Sequence, residues 1–104
     1  MPNCNDDKTP CACGIENPQE NIEWLKDLLN RVYCVEVYIV IYNNEEYIGI
    51  HDCPRIVDGM TVIYDCSGNK VCEFGGIFSG SGCTLPDFWN YFEMNKRLIY
   101  VQDT

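Results

Sequence analysis

Apolar and polar positions change period twice along this chain. Between Asn17 and Val32 the apolar side chains recur three and four residues apart: Ile22, Leu25, Leu29 and Val32 form one stripe, with Trp24 and Leu28 beside it. That spacing puts them on one broad face of a helix. Asn17-Pro18-Gln19-Glu20 offers a capping side chain, a proline at the first helical position and a glutamate at N3, so a helix is predicted to start at Asn17 and run to about Arg31.

From Tyr33 to Tyr42 the period becomes two. Val35, Val37, Ile39 and Ile41 share one face of a strand, and Glu36, Tyr38, Val40 and Tyr42 share the other. Asn43-Asn44 tolerates the positive φ angles of a two-residue hairpin turn. Taken literally, that turn sets Ile39 against Ile48, Val37 against Ile50 and Glu36 against His51, which keeps the apolar face continuous. It also sets Cys34 against Cys53, close enough for a cross-strand disulfide.

A second hairpin is predicted in "TVIYDCSGNKVCEF", with Asp65 opening a turn and Gly68 in the left-handed position. This puts Cys66 in the turn and sets Cys72 against Val62, so the two are not expected to bond each other and Cys66 is left to reach the N-terminal arm. "GGIFSGSGC" is a glycine-rich excursion, after which Thr84 can cap a short helix whose buried stripe is Leu85, Phe88, Trp89 and Phe92. Lys96 to Val101 reads as a closing edge strand guarded by Lys96. The sum is an α+β domain: an N-terminal amphipathic helix packed on an antiparallel sheet of roughly four or five strands, with a second short helix near the C-terminus. Residues 1–16, polar and broken by Pro2, Pro10 and Gly14, form a cysteine-bearing arm ahead of a single domain at 17–104.

Composition narrows what such a domain does. Lys and Arg number 7 against 16 Asp and Glu, a net charge of −9 that argues against nucleic acid, whose phosphates need clustered cations. Eight cysteines in 104 residues approach the density of a disulfide scaffold and are unusual in a reducing compartment. Three fates compete for them. Structural zinc wants cysteine pairs two to four residues apart, whereas this chain offers Cys11-Ala12-Cys13, His51-Asp52-Cys53 and Cys66 to Cys72. A lipid anchor has one signal, Cys4 followed by Asn-Asp-Asp, which looks like the start of a mature bacterial lipoprotein, but acylating it leaves an odd number of thiols. The even count favours disulfides among Cys4, Cys11, Cys13, Cys34, Cys53, Cys66, Cys72 and Cys83, and hence an extracytoplasmic protein.

Candidate chemistry is sparse. His51, the single histidine, faces Glu36 in the predicted register, and a carboxylate can orient an imidazole. Ser67, Ser79 and Ser81 lie on loops with no nucleophile-elbow sequence to accompany it. "GGIFSGSG" lacks the lysine of a phosphate-binding loop, and no motif calls for a metal or another cofactor. Tyr38, Tyr42 and Tyr47 lie on the sheet face away from the first helix. They read either as cross-strand stiffening or, with His51, as a surface for docking a protein or a glycan.

With these residues in view, "CGIENPQENIEWLKDLL" followed by "YDCSGNKVCEFGG" resembles a family of small secreted lipoproteins of unknown function from Bacteroides-type bacteria. The shared pattern is a Cys-Gly lead-in, an Asn-Pro-capped helix carrying Trp-Leu-Lys, a tyrosine-rich hairpin and a Tyr-Asp-x-x-Gly-Asn turn before Gly-Gly, covering roughly residues 13 to 83. The resemblance implies a location in the cell envelope, at the periplasm, outer-membrane surface or outside the cell, with membrane attachment through an N-terminal lipid outside or near this numbering, and it brings no catalytic residue. The expectation is therefore a non-enzymatic binding or structural module of the bacterial cell envelope. Its rival from another class is a small hydrolase or zinc-dependent enzyme centred on His51.

Overall fold

The chain does not enter its first helix directly. In a computed structural model that describes residues 10–52, 60–75, 83 and 87–103, Cys11–Ala12 (β1) and Ile15–Glu16 (β2) pair as a miniature hairpin. Cys13 (φ 56°) and Gly14 (φ 75°) form its turn, both in the left-handed region that a two-residue hairpin loop requires. Cys11 and Ala12 are buried, so this part of the predicted arm belongs to the core. Cys4, Cys53, Thr84 and Leu85 lie outside the described residues, as do most of the glycine-rich stretch, the predicted Thr84 cap and the predicted Cys34–Cys53 bridge.

The predicted helix is present in two pieces, α1 (Pro18–Asn21) and α2 (Glu23–Leu29), and it follows strands instead of opening the fold. Asn17 is left-handed and makes no side-chain cap; its carbonyl accepts the N–H groups of Glu20 and Asn21 at 2.9 and 3.0 Å. The break comes at Ile22, which is extended and buried in the core while its carbonyl starts the next piece by accepting from Lys26. Leu25 and Leu29 carry the buried face of α2, and Trp24, Leu28 and Val32 flank it half-buried. The apolar stripe was thus legible, and the interruption that seats Ile22 was not.

The first long hairpin follows the predicted register residue for residue. Cys34–Tyr42 (β3) and Glu45–Asp52 (β4) pair Ile39 with Ile48, Val37 with Ile50, Tyr38 with Gly49 and Glu36 with His51. Asn43 (φ 51°) and Asn44 (φ 66°) supply the turn. Met60–Asp65 (β5) adds beside β4 and Lys70–Gly75 (β6) beside β5, while Arg97–Asp103 (β7) returns to the other side of β3. The result is a five-stranded antiparallel sheet in the order β6-β5-β4-β3-β7.

Each face of this sheet has its own core. Val35, Val37, Ile39, Ile48 and Ile50 meet Ile22, Leu25 and Leu29 from α1–α2 on one side. On the other, Phe88–Asn95 (α3) lays Phe88 and Phe92 over Val40, Tyr47, Ile63, Cys72 and Phe74. α3 therefore covers the tyrosine face, burying Tyr47 and leaving Tyr38 and Tyr42 half-buried, so these three do not form the open docking surface expected of them. Tyr47 is 6% exposed, and Tyr38 and Tyr42 meet Phe92 and Phe88 edge-to-face at 6.2 and 5.1 Å. Gly49 makes this possible: a Cβ there would stand 2.6 Å from the Cζ of Phe92.

One irregularity decides the fate of a disulfide. Tyr64 pairs with Lys70, but the β5–β6 register then shifts, so that Ile63 pairs with Cys72 and Val62 with Glu73. The predicted Cys72–Val62 pairing is thus displaced by a bulge, and because side chains alternate, one extra residue moves Cys72 to the opposite face. There it is fully buried under α3 and bonded to Cys83.

Candidate functional site

The disulfides fix the periphery to this frame. Cys13 is joined to Cys66, so the turn of the N-terminal hairpin is tied to the turn of the β5–β6 hairpin, as the position of Cys66 predicted. The same junction carries Cys13 N–H donating to Glu46 Oε2 (2.6 Å) and Trp24 Nε1 donating to the Cys66 carbonyl (3.0 Å). Gly68, at φ 94°, lies flat against the Trp24 ring, where a Cβ would stand 2.7 Å from Cγ. Cys11 and Cys34 are disulfide-bonded as well, so every described cysteine is oxidised. Disulfides persist outside reducing compartments, which supports an extracytoplasmic setting. Among the described residues, no helix is long and apolar enough to cross a membrane and no cluster of three or more His, Cys, Asp or Glu could hold a metal.

His51 lies where the register placed it, opposite Glu36, but its partner is a different one. Its Nδ1 is 2.5 Å from the hydroxyl of Thr61 on β5, and Glu36 accepts the Tyr38 hydroxyl instead (3.0 Å). Burial, with the Glu36 hydrogen bond and the negative charges of Glu36 and Glu93 adding to it, pushes the Tyr38 phenol up to about 12. An imidazole touching a hydroxyl has the outline of a nucleophile and its base. Thr61, however, is 3% exposed, so its hydroxyl is shielded from any substrate in solution. The pair works here as a cross-strand tie.

The feature that the linear pattern did not reveal lies on the other face. A seven-residue helix such as α2 rises only about 10 Å and is about 10–12 Å across, whereas five strands at about 4.8 Å spacing make a sheet nearly twice as wide. The helix covers the centre and leaves apolar residues of β4 and β5 without a lid. The outcome is a groove of about 380 Å³ beside the C-terminal half of α2. Leu28, Val32, Val35, Ile50 and Val62 make its apolar walls. Its volume sits at the small end of the range for ligand pockets, roughly 300–1,000 Å³.

Its polar groups are few. Asp52 contributes a carboxylate whose Oδ2 accepts the Met60 N–H at 3.1 Å. Arg31, exposed at the end of the helical segment, donates through Nε to the Asp27 carbonyl at 3.3 Å, which leaves its Nη groups uncommitted among the described residues. Tyr64 packs its ring 5.1 Å from that of Trp24, and its hydroxyl has no hydrogen-bond partner among the described residues. Burial pushes the Tyr64 phenol up, Lys70 and Arg31 pull it back, and Glu73 adds to the rise. Met60 and Val62, on the helix-facing side of β5, line the groove opposite Leu28 of α2, a juxtaposition that no single stretch of the sequence announces. Comparison of the chain with protein-family models, with curated proteins and with solved structures returns no match.

Proposed function

We propose that this protein is a non-enzymatic binding module of the bacterial cell envelope, stapled by disulfides and working outside the cytoplasm, with the groove beside α2 as its binding element. The groove carries the reading: about 380 Å³ of mostly apolar concavity lined by a few polar groups is the form that small-ligand sites take. Oxidised cysteines support the compartment, and the sequence resemblance described above supports the envelope assignment. The surplus of acidic residues, net charge −9, favours partners other than nucleic acid.

The test is an amide and methyl chemical-shift survey with small apolar fragments. Perturbations grouped on Val62, Ile50, Leu28 and Val35 support the reading. Perturbations grouped on His51 and Thr61 would instead favour a hydrolase, a rival that has their hydrogen bond in its favour and the burial of Thr61 against it. For that rival, His51→Ala removes any hydrolysis of an ester substrate; for the binding module it leaves fragment affinity unchanged.

A further inference from the structure

The polar groups of the groove differ in what they still have to offer. Asp52 offers only acceptors and takes a backbone N–H on Oδ2, whereas Arg31, with Nε given to the Asp27 carbonyl, keeps its Nη donors and Tyr64 its hydroxyl without an acceptor among the described residues. A guanidinium is planar and always charged, and it matches the two oxygens of a carboxylate. Half-buried Tyr64, which lines the same groove, offers a neutral hydroxyl donor that adds no charge. Resting on the binding reading above, we infer that the groove takes a small free apolar monocarboxylate. Its hydrocarbon body lies along Leu28, Val35, Ile50 and Val62, and its carboxylate rests on Arg31 with the Tyr64 hydroxyl as second donor.

Charge narrows the class further. Asp52 lines the same groove, and the chain as a whole carries −9, so a dianion such as a phosphate monoester meets repulsion both locally and at long range. A single negative charge is answered by a single guanidinium. The volume excludes a large lipid and fits a body of about one aromatic ring or a short alkyl chain.

The experiment compares hexanoate, hexanol and hexylamine on the oxidised full-length protein. Binding is followed by the emission of Trp24, whose ring neighbours Tyr64, in a Trp89→Phe background, and by the methyl shifts of Val62. Hexanoate is expected to bind about tenfold tighter than hexanol, the size of effect a charge-assisted hydrogen bond gives. Arg31→Gln, at an exposed position that leaves the fold untouched, removes that preference, and Val62→Phe, which fills the groove, abolishes both. Equal binding of hexanoate and hexanol, or tightest binding of hexylamine, overturns the carboxylate assignment while leaving the groove as a binding element. Failure of all three to move Trp24 or Val62 overturns the groove reading itself.

Discussion

Gly49→Ala tests whether α3 truly closes the tyrosine face. In the interior of an open strand this substitution removes the entropic cost of glycine and stabilises by about 0.5–1 kcal/mol. Here the new methyl would stand 2.6 and 2.8 Å from Cζ and Cε1 of Phe92 and 3.0 Å from Cδ1 of Ile63, where carbon atoms pack best at about 3.5–4.0 Å. Roughly 1 Å must be found. Phe92 cannot supply it by swinging away, because it is buried, edge-on to Tyr38 and stacked between Phe88 and Trp89 at 6.1 Å from each. Either α3 lifts or the sheet bends, an overpacking that costs about 1–3 kcal/mol. For a domain of this size each kcal/mol moves Tm by about 4–8 °C, so a fall of about 4–24 °C is expected in thermal unfolding followed by circular dichroism with the disulfides intact. Phe92→Leu removes the ring tip, and in that background Gly49→Ala should cost at least about 1 kcal/mol less, a coupling that distant, independent sites do not show. A rise in Tm for Gly49→Ala, or the same loss in both backgrounds, would refute the contact and return Tyr38, Tyr42 and Tyr47 to solvent.

Three further substitutions probe other joints. Gln102 Nε2 on β7 donates to the carbonyls of Leu29 (2.9 Å) and Val32 (3.0 Å), so Gln102→Ala should cost about 1–3 kcal/mol in urea unfolding by leaving the end of α2 unpaired, and a neutral result would show that the bonds are dispensable. Burial pushes the Asp65 carboxyl up, but hydrogen bonds from Asn69, Ser67 and Gly68 outweigh it and hold the pKa below the ordinary value. Its stabilisation is therefore complete above the unfolded pKa and lost as pH falls through the lowered folded one; Asp65→Ala should cost about 1 kcal/mol at neutral pH and less in acid, and equal losses at both would contradict this. Tyr38, pushed up to about 12, should titrate above the ordinary range of a tyrosine in an ultraviolet difference titration, its contribution present below the unfolded pKa and lost as pH rises through the folded one. Glu36→Gln should bring that midpoint down only part of the way, since burial is the larger cause; a wild-type midpoint at the ordinary value of about 10 would be the opposing result.

Local rules served well where one residue fixed one geometry. Asn43-Asn44 set the hairpin turn, and with it the whole β3–β4 register down to the Glu36–His51 pair, because any slip would turn the apolar face outward. The loop at Asp65–Gly68 and the reach of Cys66 to the arm were legible for the same reason. The misreadings came from tertiary choices. Nothing in the Asn-Pro start announces that Ile22 leaves helical geometry to enter the core, and nothing in "KVCEF" announces a bulge, since both depend on what the other side of the sheet demands. The tyrosine face carried two legible signals, the Phe88–Phe92 stripe and Gly49 opposite Tyr38, which together call for a helix on that side. The groove arises from an absence of cover, and an absence has no periodicity.

Disulfide mapping by mass spectrometry, without reduction, tests the stapled bulged frame most directly. Trypsin with chymotrypsin separates Cys66 from Cys72 at Lys70 and Cys72 from Cys83 at Phe74, while Cys11 and Cys13 stay on one peptide that carries both their bridges, assigned by fragmentation between the two residues. The account predicts a Cys13–Cys66 link, a Cys72–Cys83 link and no thiol at any of these positions. A thiol at each of the four, or Cys72 joined to a partner other than Cys83, would contradict it.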